Sequence, residues 1–172
     1  EVKITGTLGE GVERLLVEGD ANSLRIEVRY PEGGGGWFGW GGGDNGAEPS
    51  VLEVSIPAQA QLTVDSVSAD VDITGVGGSR LSVDSVSGDV AVRGARTGQA
   101  RFDTVSGDLD LDLASRNTRV DTVSGDVVLK GALQGEVSLD SVSGNATVTA
   151  GALDELSLST VSGDGRMQAS LA

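Results

Sequence analysis

The chain has no cysteine, no histidine, one methionine and three prolines in 172 residues. Without cysteine there is no disulfide and no thiolate chemistry, so the redox compartment stays open. Without histidine, the usual base that activates a serine or cysteine nucleophile is missing. Two Trp, two Phe and one Tyr are the only aromatics, so the core has to be built from Val, Leu and Ile. No apolar run approaches the roughly 20 residues that cross a bilayer as a helix. Basic residues are scarce as well. Twelve against 26 acidic ones leave a net charge of −14, which argues against nucleic acid or an anionic lipid surface as partner.

What the sequence does have is one octapeptide written six times. Val64-Asp65-Ser66-Val67-Ser68-Ala69-Asp70-Val71 is the first copy, and Val83-Asp84-Ser85-Val86-Ser87-Gly88-Asp89-Val90 the second. Further copies begin at Phe102, Val120, Leu139 and Leu158. Their seventh letters fall at 70, 89, 108, 126, 145 and 164, in steps of 19, 19, 18, 19 and 19. A repeat this regular dictates the architecture. Apolar residues alternate before the Ser-Gly-Asp corner (Leu81, Val83) and after it (Val90, Val92). Period two means strands with one buried face. The spacing i, i+3, i+4 of an amphipathic helix is absent. The expected fold is therefore all-β, a single-stranded β-solenoid (β-helix) with coils of about 19 residues stacked about 4.8 Å apart.

Gly88, Gly107, Gly125, Gly144 and Gly163 supply a residue tolerant of positive φ at the corner. Asp70, Asp89, Asp108, Asp126 and Asp164 fit an Asx turn closing on backbone amides, a job Asn145 does without charge. The serines at 68, 87, 106, 124, 143 and 162 read as hydroxyls that satisfy corner amides, or as an exposed rank for ice or sugar. The valines at 67, 86, 105, 123, 142 and 161 never vary, and their apolar character predicts a buried ladder. On that expectation Val105→Asp is severely destabilising. The residue missing from the 18-residue step is expected between Leu113 and Val120, at the turn opposite the corner.

A second acidic ladder, Asp65, Asp84, Asp103, Asp121 and Asp140, follows the inward residue and is expected to face solvent. Like charges at strand spacing repel, and a divalent cation such as calcium bridging adjacent rungs would relieve them. The calcium nonapeptide repeat is absent. No metal site, cofactor or catalytic residue is assigned; calcium on this ladder is the one cofactor reading.

Residues 1–172 read as one domain, with irregular coils and a cap over 1–56 and regular repeats over 57–172. Val2-Lys3-Ile4, Leu15 to Glu18, Leu24 to Val28 and Leu52 to Ile56 alternate as strands. The glycine-rich stretch 33–46 carries Trp37, Phe38 and Trp40, aromatics that either dock on the solenoid or form a contact site for sugar, lipid interface or protein. After the last copy, Met167, Ala169 and Leu171 alternate on an uncovered rung. Weak end-to-end self-association is expected there, with a monomer in dilute solution.

The repeated Val-Asp-Ser-Val-Ser-Gly-Asp-Val, preceded by Leu52-Glu53-Val54-Ser55-Ile56-Pro57, resembles a bacterial family. These are the DUF4097-like β-strand-repeat proteins labelled as adhesins, of unknown function. The likeness is close over about residues 50–165. It implies a β-solenoid, exported to the cell envelope as a periplasmic, outer-surface-associated or secreted protein, and it supplies no catalytic residues. A chain that begins at Glu1 suits loss of an export signal. The functional expectation is a non-catalytic envelope protein, an adhesin or interaction scaffold meeting protein or envelope polysaccharide. Alternatives are a protein-contact sensor or assembly element of an envelope stress system, and a cation-binding repeat protein.

Overall fold

The computed structural model describes residues 3–7, 14–19, 23–29 and 51–171, and side chains over 53–170 apart from Ser68. Every element among them is a strand. The four strands read from the first third are present as β1 (Lys3–Thr7), β2 (Arg14–Gly19), β3 (Ser23–Arg29) and β4 (Val51–Ser55). β1 pairs antiparallel with β4, and β2 antiparallel with β3. From β3 onward the stacking is parallel: Leu24 pairs with Leu62 of β5 (Gln61–Ser68), and Leu62 with Leu81 of β7 (Arg80–Ser87).

The solenoid has about six coils. In each, a first side runs into the Ser-Gly-Asp corner and a second side leaves it. β5, β7, β11 (Leu133–Ser143) and β13 (Glu155–Ser162) contribute first sides. β6 (Val71–Thr74), β10 (Val127–Gly131), β12 (Ala146–Leu153) and β14 (Gly165–Leu171) contribute second sides. β8 (Val90–Ser106) and β9 (Leu109–Ser124) each run unbroken from the second side of one coil into the first side of the next. Equivalent letters stack on one another: Val83 on Phe102, Phe102 on Val120, and Leu139 between Val120 and Leu158.

Inward columns of Val, Leu and Ala form one continuous core, with Leu81, Val92, Leu111, Val120, Leu129, Val137, Leu139 and Val148 fully buried. One aromatic, Phe102, joins them. Met167 continues the column of Val148 in register but stays about half exposed on the last coil described.

The length adjustments lie away from the corner. Gly94 of one coil has no counterpart between Asp112 and Leu113 of the next, because Arg93 pairs with Asp112 and Ala95 with Leu113. Gly135 likewise has none between Arg116 and Asn117, since Leu133 pairs with Ser115 and Glu136 with Asn117. The second gap is in the expected stretch; the first falls just before it.

The corner glycines are required twice over. Gly125 has φ 123°, and a Cβ there would come 2.1 Å from the carbonyl oxygen of Gly107 on the preceding coil. Gly144 and Gly163 meet the same obstacle at 2.1 Å. In the first copy Ala69 takes the glycine's place, and no non-glycine among the described residues has positive φ.

The valine ladder corrects an expectation. Val86, Val105, Val123 and Val142 are 46–50% exposed, and Val67 and Val161 more so. Alternation from Val83 carries Ser85 inward and Val86 outward, and the direction resets only at Ser87-Gly88-Asp89. The buried position is therefore a hydroxyl, at Ser85, Thr104, Thr122 and Ser141. Val105→Asp buries no charge, and the severe loss expected of it is withdrawn.

Two comparisons test this arrangement by chemical denaturation. Gly125→Ala is expected to cost about 2–4 kcal/mol through strain and backbone clash, whereas Gly151→Ala, with nothing within 4 Å of its new Cβ, is expected to be near neutral. Leu139→Ala is expected to cost about 2–5 kcal/mol, and Val105→Ser less than about 1 kcal/mol.

Candidate functional site

The first sides of the coils form a flat outward face ruled into columns. Across the third coil the outward residues run Arg101, Asp103, Val105, between inward Phe102 and Thr104. Stacking repeats this pattern up and down. Asp65, Asp84, Asp103, Asp121 and Asp140 are mutual partners in register, so the second acidic ladder exists and lies on the outward face as expected. Two residues further on stands the valine column. Beyond the corner stands the other acidic column: Asp70, Asp89, Asp108, Asp126, Asn145 and Asp164, all exposed.

That last column is part of the scaffold. The Asp89 amide donates to Asp70 Oδ1 at 2.9 Å, Asp108 to Asp89 at 2.9 Å, Asp126 to Asp108 at 2.8 Å and Asn145 to Asp126 at 2.7 Å. The Asp164 amide donates to Asn145 Oδ1 at 3.2 Å. The expected capping is present, but the capped amide belongs to the next coil rather than to the same turn. The backbone carbonyls of Asp89, Asp108, Asp126, Asn145 and Asp164 also accept an amide from the coil before, as Val90 donates to Asp108 at 2.9 Å. The serine hydroxyls do not cap amides in this way. Ser87 Oγ donates to the Val67 carbonyl at 3.0 Å, and the Ser106, Ser124, Ser143 and Ser162 side chains are exposed.

Countercharge on the other acidic column comes from Arg101 and Arg119. Arg101 grips Asp103 with Nε at 2.6 Å and a terminal nitrogen at 2.8 Å, and reaches Asp121 at 3.8 Å. Arg119 holds Asp121 at 2.7 and 2.9 Å and reaches Asp140 at 3.5 Å. The hydrogen bond to Asp121, with the charge of that carboxylate, holds the Arg119 guanidinium above its ordinary pKa. Ser82 stands where these arginines would serve Asp84. The Asp84 carboxyl is accordingly pushed above the ordinary carboxylate value, first by desolvation and then by the charges of Asp103 and Asp65.

No group of three or more acidic side chains among the described residues is gathered into a metal-ligand set. A shallow open groove runs along the opposite turns, floored by Gly78, Thr97 and Ser115 and flanked by Arg96 and Arg116. Trp37, Phe38 and Trp40 lie outside the described residues. Sequence reasoning missed the outward direction of the valines, although strict alternation from Val83 was the signal that carried it.

Asp84 gives a pH test. Its raised pKa means that the folded state binds the proton more tightly than the unfolded chain does. Ionisation of Asp84 therefore costs stability, and the cost appears as pH rises through the unfolded and then the folded value. Asp84→Asn is expected to raise the melting temperature by about 1–3 °C at pH 7. Below the ordinary carboxylate pKa the gain is expected to vanish. A gain of equal size at both pH values would contradict the assignment.

No helix among the described residues is long and apolar enough to cross a membrane. Comparison with curated proteins and with solved structures gives no match. One family model does match, over residues 3–171, nearly the full length of the chain. Its span takes in all six octapeptides and the corner whose bonds tie coil to coil, and the chain belongs to the Toastrack DUF4097 family, a family of unknown function.

Proposed function

We propose that this chain is a non-catalytic, exported envelope protein, an adhesive or interaction scaffold whose working surface is the valine-bearing face. The observation that carries the reading is the column Val67, Val86, Val105, Val123, Val142 and Val161, apolar and exposed on every coil. A contiguous apolar strip on an outward surface is the ordinary mark of a contact site. The non-catalytic part is supported by composition, since the chain has no histidine and no cysteine, and by coils that, among the described residues, carry no long loops around a cleft. Export to the envelope is supported by the family resemblance alone. Calcium remains a proposal for the column Asp65 to Asp140, and the aromatic stretch Trp37 to Trp40 a proposal for a second contact.

The test is site-specific photo-crosslinking in the cells that make the protein, combined with fractionation. A crosslinker at Val105 is expected to give discrete adducts, and the protein to fractionate with the envelope or the medium. A crosslinker at Val128, an exposed valine on the second side of its coil, is expected to give none. Equal labelling from both positions would sink the reading, as would substrate turnover abolished by a single Asp→Asn change.

A further inference from the structure

Acidic columns flank the valine column, one on its own face and one at the corner beyond it. Two residues before it run Asp65, Asp84, Asp103, Asp121 and Asp140, and three residues after it run Asp70, Asp89, Asp108, Asp126 and Asp164. Ten of the 26 acidic residues of the chain thus border one apolar line. Arg101 and Arg119 offset part of the first border. The six valines, each about half exposed or more, together present on the order of a few hundred Å² of apolar surface, the size at which a patch marks a contact.

This pattern restricts the occupant. A second copy of the chain laid against the column would set aspartate against aspartate on both sides, which is unfavourable at such spacing. An anionic lipid surface meets the same repulsion. The complement is an apolar line with cations on both flanks.

The spacing then decides between an extended and a helical segment. Six rungs about 4.8 Å apart span about 24 Å. An extended strand along the column presents one face every roughly 6.7 Å, and slips by about 2 Å at each rung. An α-helix presents its apolar stripe once per turn of about 5.4 Å, and slips by about 0.6 Å. Over the whole column the helix drifts by little more than half a rung, which side chains absorb. About 16 residues cover 24 Å at 1.5 Å each.

We propose that the valine column is the docking site for a cationic amphipathic α-helix of about 16 residues, supplied by a partner protein. This rests on the reading of the valine face as the working surface and names what it receives. Apolar residues at i, i+3, i+4 and i+7 of the helix lie on the valines, and its Lys or Arg residues reach the two aspartate columns.

Fluorescence anisotropy with a labelled, synthetic 17-residue Leu/Lys helix tests the proposal on the intact chain. Binding is expected to weaken as salt is raised. A scrambled peptide of the same composition, without an apolar face, is expected to bind at least tenfold more weakly. The triple variant Val86→Ser, Val105→Ser, Val123→Ser is expected to lose at least tenfold in affinity, while Val128→Ser loses nothing. Asp89→Asn, Asp108→Asn and Asp126→Asn together are also expected to cost at least tenfold. Asn145 already occupies that column and accepts the next amide, so these three changes remove charge and keep the corner. Thermal melts of each variant confirm the fold.

Equal binding of the scrambled peptide, or indifference to the valine triple, would overturn the proposal. So would tighter binding of an alternating Val/Lys strand peptide. Should the helix fail while Val105 still crosslinks in cells, the working-surface reading stands and the helix alone is retired.

Discussion

The structure depends on a hydrogen bond that joins one coil to the next at the corner. A side-chain oxygen accepts the backbone amide of the equivalent residue 18 or 19 positions later, five times in succession from Asp70 to Asp164. Four of the five acceptors are carboxylates, which make the stronger kind of hydrogen bond. The fifth, Asn145, shows that the geometry matters and the charge can be spared. Because donor and acceptor sit at the same letter of successive repeats, a coil can bind its predecessor only by copying it. Glycine enforces the same condition from the other side, since Gly125 packs its Cα where any side chain would strike the Gly107 carbonyl.

Once the corner is fixed, the direction of every side chain follows by alternation, and here the sequence was legible in part. The coil length, the corner, the need for glycine and the two acidic ladders could all be read from spacing, because each depends on a periodic position. The valine column could not be read from residue type. Val86 is apolar and repeated without change, which suggests a core, yet three steps of alternation from Val83 already place it outside. The interior position beside it belongs to Ser85, Thr104, Thr122 and Ser141. Ser85 and Thr122 direct their hydroxyls at the carbonyl two residues on, at 3.4 Å, a local partner that makes a polar residue tolerable at those two positions, whereas the Thr104 and Ser141 hydroxyls are buried without one. Ser115 does the same at the opposite turn, at 2.8 Å from the Asn117 carbonyl. The capping aspartates were half legible: their chemistry was plain, but a bond to the next coil and a bond within the turn leave the same mark on one repeat.

Stacking also sets the electrostatics of the outward face. Identical rungs place identical charges about 4.8 Å apart, so a single acidic letter becomes a column of like charges. Arg101 and Arg119 interrupt that repulsion in the middle coils, each gripping the aspartate two residues on and reaching the one above. Where Ser82 replaces the arginine, Asp84 is left with a raised pKa, through desolvation and the charges of Asp103 and Asp65.

The fold itself does not demand this face. On the second sides of the coils, the outward column Asp72, Ala91, Asp110, Val128, Thr147 and Arg166 stacks equally well with five residue types. An outward position in a parallel stack thus accepts almost any side chain that suits a strand. Threonine would match the branching and strand preference of valine without exposing so much apolar surface. Six valines in one outward column therefore do not follow from stacking, from strand preference or from solubility. Packing against an apolar partner, as proposed for this face, would account for them, and the aspartates on either side would set the charge that such a partner carries.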